Sequence, residues 1–263
     1  MKALLSLFMA LVVVKAAQIP LLKPSHPFNF KRLEYSDKQT RIANGQQASD
    51  GQFPFYAAID IPPGYFCGGS IISSRWVVTA AHCAVSGDSF NINVGEVAIF
   101  WGTTYYSEVK YIHPKYDDLV ANDIALLYVS SDIIFTGKYV QPINLPNIGE
   151  SNLFEDYPVE ILGHGKTTEY ETGTTPYLMY ASVSVMSNSA CAQYFGRYII
   201  DSVVCTQGQA METTCSGDSG GPVVYDNTLV GVISFGYACG NIYPSGHARV
   251  TSFRQWISDV SGV

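Results

Sequence analysis

From Ile42 to the end, the chain alternates short apolar runs with turn signals about every ten residues. GGSIISSRWVVTA, PVEILGHG, YASVSVM and TLVGVISFG are examples, rich in Val, Ile, Thr, Tyr and Phe. Those residues suit a pleated, half-buried surface, so the pattern predicts an all-β sandwich or barrel. One segment has a different period. In SFRQWISDV, Phe253, Trp256, Ile257 and Val260 recur at helical spacing, predicting a closing α-helix that docks one apolar face. Ser252 and Gln255 read as its capping box. No fixed-length repeat and no strand–helix alternation is evident.

The first forty residues differ. Lys2 precedes the apolar run Leu4–Val14, which ends at Ala16 and Ala17. A basic start, a short apolar stretch and small residues form a secretory signal, with cleavage expected after Ala16. The run is too short to span a bilayer as a helix. Residues 17–41 contain Pro20, Pro24 and Pro27, several basic residues and no cysteine, and read as a separate pro-segment. Secretion changes the meaning of the six cysteines: an oxidising route makes disulfides the expectation, with fifteen pairings open. No Cys-x-x-Cys pair occurs, against a zinc ribbon.

Composition narrows the class further. The 263 residues fit one large domain or two small ones. Apolar residues make up 47%, with a mean hydropathy of +0.11, enough for a substantial core. Charged residues are 14%, the net charge is −7, and no basic block argues for a nucleic-acid partner.

The stretch TTCSGDSGGP (Thr213–Pro222) carries the candidate chemistry. Alone it favours the reading of a Gly-rich loop. A serine nucleophile needs a base, and the base needs an orienting group. Among the five histidines, His82 has the most distinctive setting, TAAHC, beside Cys83. Asp123 opens the apolar run NDIALL. A carboxylate there should be partly buried and requires a partner, which an imidazole N–H supplies.

TAAHC, DIAL and GDSGGP, in the order His, Asp, Ser, resemble the chymotrypsin-like serine peptidases over Ile42–Val263. That order separates them from subtilisins and α/β-hydrolases. The resemblance implies two packed six-stranded antiparallel β-barrels with a C-terminal α-helix and the active site between them. It implies Ser219 as nucleophile, His82 as general base and acid, and Asp123 as orienting carboxylate. The N–H groups of Gly217 and Ser219 form the oxyanion hole, and Ser234 supports Asp123. The implied disulfides are Cys67–Cys83, Cys191–Cys205 and Cys215–Cys239. RIANG resembles the family's activation site, with Ala43 and Asn44 at two altered positions. Cleavage after Arg41 would free the Ile42 amino group to pair with Asp218.

The resemblance places Thr213 at the pocket floor, Thr214 beside it, Phe235 on the substrate shelf, Gly236 at the mouth and Ser245 in the wall. An uncharged floor disfavours Arg and Lys, because a buried cation would lack an ion partner. The expectation is a preference for Leu, Met, Tyr or Phe, with an elastase-like preference for smaller residues as the alternative. Self-activation at Arg41 is then excluded, so a trypsin-like activating protease is implied. Phe235 and His164 stand where tryptophans are usual, and His164 is assigned no chemistry. Glu96 could be one ligand of a calcium loop, but no second acid matches, so no metal and no cofactor is expected. The whole reading is a secreted, monomeric, digestive endopeptidase with protein or peptide substrates and protein protease inhibitors as partners, no nucleic acid and no membrane. A catalytically silent binding homologue is the alternative from another class.

Overall fold

The computed structural model describes residues 42–263 apart from Thr167, Glu169, Glu171, Thr172 and Ala238. The signal, the pro-segment and Arg41 lie outside the described residues.

Strands dominate, as the alternation predicts. They are β1 (Gln46–Gln47), β2 (Tyr56–Ile61), β3 (Tyr65–Ser73), β4 (Trp76–Thr79), β5 (Phe90–Val94), β6 (Thr103–Ser107), β7 (Val109–Ile112) and β8 (Ala125–Tyr128). Then follow β9 (Pro158–Gly163), β10 (Met179–Met186), β11 (Val203–Gln207), β12 (Pro222–Tyr225), β13 (Thr228–Gly236) and β14 (Ser245–Arg249). The α-helices are α1 (Ala81–Val85), α2 (Asn188–Phe195) and α3 (Val250–Ser261).

The strands form two antiparallel sheets. The first has the order β6-β5-β2-β3-β4-β8-β7. The second runs β10-β11-β14-β13-β12-β9 and closes on itself through β9–β10, with β1 added at β10. Closure removes the open edges of that barrel. The barrel interior is filled by alternating positions: Met179, Ala181, Val183 and Val185 of β10 point inward with Ile161, Val204, Val223 and Val230. In the first sheet Ile59, Ile71, Val78, Ile92 and Leu126 fill the core.

α3 buries Phe253 and Ile257, with Trp256 and Val260 half-buried against the same core. Its start departs from the expected capping box. The helix begins at Val250, straight out of β14, and Arg249 is its N-cap with no side-chain cap bond. Ser252 Oγ instead lies 3.5 Å from the Asp201 carbonyl, and Gln255 binds Asp259. The reason is tertiary. Arg249 is buried and its guanidinium donates to the carbonyls of Asp201, Val203 and Leu153 and to Asn188 Oδ1. That anchor and the fully buried Val250 start the helix before the local signal. Gly262, in the left-handed region, ends it and donates to Ser258 O, the usual glycine stop. Among the described residues, no helix is long and apolar enough to cross a membrane.

Candidate active site

The two sheets contribute different halves of the site. β4 ends at Thr79, and the short α1 that follows presents His82, while Cys83 is bound to Cys67 of β3. Asp123, 1% exposed, precedes β8. β4 and β8 are paired neighbours, which brings the His and the Asp together. Asp123 Oδ1 accepts the His82 backbone N–H at 2.9 Å, and Oδ2 accepts Nδ1 at 2.7 Å. Ser234 Oγ donates to the same Oδ2 at 2.5 Å. The carboxylate thereby holds the proton on Nδ1 and leaves Nε2 unprotonated, the tautomer a general base needs.

Ser219 comes from the second sheet's side. Its carbonyl accepts the Gly68 N–H at 2.7 Å, stitching it to β3 one residue beyond Cys67. Gly220 follows at φ 78°, and a Cβ there would overlap Thr79 Oγ1 and the Gly68 carbonyl, so only glycine allows the nucleophile loop to lie against the segment leading to His82. The Ser219 hydroxyl makes no hydrogen bond among the described residues. Such bonds commonly tighten only when substrate is bound.

One peptide plane orients the first of the expected oxyanion donors. The Ser216 carbonyl accepts the Lys166 N–H at 2.8 Å. In a trans peptide the carbonyl and the next N–H point in opposite directions, so the Gly217 N–H is turned away from Lys166. Gly217 sits at φ 100°, with its Cβ position 3.0 Å from the Gly165 backbone. Neither the Gly217 nor the Ser219 N–H has an acceptor among the described residues.

Beneath the loop, Asp218 is fully buried. Its carboxylate accepts from Gly165 N at 2.7 Å and Cys215 N at 2.8 Å. Burial outweighs those two bonds and pushes its pKa up to about 7. Ile42 is also fully buried, at φ 48°, and Ala43 bridges to Thr213. Tyr56, which escaped the sequence reading, and His164, to which it assigned no chemistry, are further neighbours. Tyr56 stands in this core, and burial together with the Asp218 charge raises its pKa. His164 is 1% exposed, 5.5 Å ring to ring from Tyr56, and its Nδ1 donates to Thr175 O at 3.0 Å. Burial lowers its pKa to about 4, so it is a neutral core residue.

Beside Ser219 opens a cavity of about 470 Å³, lined by Thr214, Cys215, Ser216, Ser219, Ile233, Ser234, Phe235, Gly236, Tyr237, Cys239 and Lys166. Among these only Lys166 is charged. Thr213 and Ser245, expected in its floor and wall, are buried behind the lining. Thr213 Oγ1 accepts from Gly240 N, and Ser245 Oγ accepts from Thr214 Oγ1 at 2.9 Å. A Cβ on Gly236 would stand 3.6 Å from Ser245 Oγ. Phe195 packs edge-on to Phe235 and stacks on Tyr237. Lys166 and Tyr237 had no motif to mark them, because their place comes from loops packed across the barrel. The disulfides Cys191–Cys205 and Cys215–Cys239 complete the expected pairing. Each of the three is worth on the order of 3 kcal/mol in the chain-entropy account.

The family model described as Trypsin matches residues 42–257. Collagenase of Hypoderma lineatum is 34% identical across 100% of this chain and 99% of its own length. Trypsin 5G1 of Aedes aegypti is 34% identical over 85% of this chain and 86% of its own, and Chymotrypsin-2 of Vespa crabro is 33% identical over 82% and 98%. The solved structure of HL collagenase superposes with a TM-score of 0.77 at 34% identity, covering 84% of this chain and 98% of the other. An inactivated protease paralogue of the scabies mite also gives 0.77, at 27% identity, covering 83% and 96%. The chain therefore belongs to the trypsin family of chymotrypsin-like serine proteases.

Proposed function

We propose that the chain is a secreted endopeptidase, made as a zymogen with a digestive role, that cuts after uncharged, mainly apolar residues. The observation that carries this reading is the His82–Asp123–Ser234 chain of hydrogen bonds, set beside a Ser219 cavity that has no acid among its described lining residues. Ser219 Oγ attacks the scissile carbonyl while its proton passes to His82 Nε2. Asp123 stabilises the imidazolium. The oxyanion is held by the N–H groups of Gly217 and Ser219. His82 then protonates the leaving amine, the C–N bond breaks, and an acyl-enzyme remains. Water, deprotonated by His82, attacks the ester and frees Ser219.

The switch reading is supported at Ile42. A β-branched residue at φ 48° is strained, by about 1–3 kcal/mol. Cleavage after Arg41 abolishes that torsion constraint and creates an ammonium. Ala43 bridges to Thr213, five residues before Asp218, and the buried Asp218 carboxyl has no cation partner among the described residues, whereas a buried charge is stable only when paired. Since no acid lines the cavity among the described residues, a different, trypsin-like protease makes the cut.

The test is to cleave the full chain after Arg41 with trypsin, remove the trypsin, and assay peptides differing only in the residue before the scissile bond, with Ser219→Ala as control. Cleavage after Leu, Met, Tyr or Phe that is lost in the control is expected. Cleavage mainly after Ala or Val would make the pocket elastase-like. Cleavage after Arg or Lys would overturn the neutral-pocket reading. No cleavage, with Ile42 confirmed as N-terminus, would make this a binding homologue, and full activity before cleavage would end the zymogen reading.

A further inference from the structure

Behind the cavity lies a group of buried polar side chains whose bonds account for all but one ring nitrogen. Thr206, Thr213, Thr214, Ser245 and His247 are each at most 8% exposed. Thr213 accepts from Gly240 N, and Thr214 is bonded to Ser245. Thr206 Oγ1 is bonded to His247 Nε2 at 2.8 Å. His247 Nδ1 is buried and has no partner among the described residues.

A buried imidazole nitrogen without a partner is costly, and each such group in a folded protein calls for an explanation. An apolar ring at this place would carry no such cost. Strand geometry gives the direction of the side chain. Ser245 and His247 are two apart on β14, so they share a face. Thr206 of β11 lies opposite Ser245, and its hydroxyl reaches His247, so all three stand on that face. Ser245 Oγ meets Thr214 and lies behind Gly236 at the cavity wall. His247 is the next side chain beneath it. Burial lowers its pKa to about 3, so the ring stays neutral. Either tautomer leaves one nitrogen open, as a donor or as an acceptor.

We infer that His247 is a specificity-determining residue, its open ring nitrogen receiving the uncharged hydrogen-bonding end of the substrate side chain, so that a tyrosine phenol is preferred to a phenylalanine ring. This rests on the reading that the cavity beside Ser219 takes the side chain before the scissile bond. A phenol suits either tautomer because it both donates and accepts. A site with an unpaired polar group discriminates against the analogue that cannot pair with it.

The activated enzyme is assayed on two peptides identical except for Tyr or Phe before the scissile bond, as wild type, His247→Phe and His247→Gln. Wild type is expected to favour Tyr by about tenfold or more in kcat/KM. His247→Phe should bring the ratio to within about twofold by losing activity on Tyr alone, and His247→Gln should retain part of the preference. A purely structural role would lower both substrates together and leave the ratio intact, which overturns the inference. If the variants do not fold, inhibition of wild type by matched tyrosinal and phenylalaninal peptides decides, and equal inhibition overturns it. A wild-type enzyme that cleaves both equally, or favours Phe, defeats the inference and leaves the neutral pocket standing. Cleavage after neither Tyr nor Phe, with turnover elsewhere, defeats the pocket reading and the inference with it.

Discussion

Replacing Gly165 by alanine tests whether the buried Asp218 carboxylate sets the nucleophile loop. A Cβ at Gly165 would meet Asp218 Cγ and Oδ1 at 2.5 Å and Oδ2 at 2.6 Å. Ordinary contact begins near 3.4 Å, so the carboxylate must retreat by ~0.9 Å. Its bonds to Gly165 N and Cys215 N, now 2.7 and 2.8 Å, would stretch beyond useful range. Two bonds to a charged acceptor are worth roughly 3–6 kcal/mol together. Asp218 lies between Gly217 and Ser219, so the cheaper response is a shift of the loop that misplaces the oxyanion donors. Losing one such donor costs about 2.7–4 kcal/mol. The expectation is a fall in kcat/KM of at least about a hundredfold, with a lower thermal midpoint but a cooperative transition. The assay is peptide hydrolysis by enzyme cleaved after Arg41 and normalised to folded protein. Turnover within about twofold of wild type, in a folded variant, would refute the coupling of Asp218 to the oxyanion donors.

Three other outcomes follow from the same geometry. Ser234→Ala removes a charge-assisted bond to Asp123 Oδ2, so kcat should fall by about tenfold or more with KM little changed; steady-state kinetics check it. Ser245→Gly removes the hydroxymethyl behind Gly236 and should raise kcat/KM on Trp relative to Leu by several-fold (about 1 kcal/mol); an unchanged ratio would remove Ser245 from the pocket wall. In the uncut chain burial pushes the Asp218 carboxyl from the usual carboxylate range up to about 7. The folded state therefore holds that proton more tightly, and its stabilising effect is lost as pH rises from about 4 to about 7. The change is on the order of 4 kcal/mol at most. In the cut chain the Ile42 ammonium compensates the carboxylate and the loss should vanish. Urea melts of the Ser219→Ala protein, cut and uncut, at both ends of that range would show it.

Local patterns in the sequence specified a great deal. Alternating Val, Ile and Thr runs marked strands such as β10 and β13, because a pleated strand buries every second side chain. TAAHC, NDIALL and GDSGGP marked His82, Asp123 and Ser219, because the glycines and small residues beside those groups permit close backbone approach. Register, burial and loop packing were decided only in three dimensions. α3 starts at Val250 because the buried Arg249 anchors it, overriding the Ser252 cap signal. Lys166, Tyr56 and Tyr237 join the site across distant loops and strands, and no residue spacing announces that. Thr213 and Ser245 are buried beside the cavity and bonded to Gly240 and Thr214, partners that their spacing in the chain does not announce. His247 has no distinctive setting in the sequence. Only the pairing of β14 with β11 gives it Thr206 as a partner on one nitrogen, with none on the other among the described residues. The physical reason is that a strand pattern reports which residues turn inward, whereas what they meet there depends on strands brought together from elsewhere in the chain.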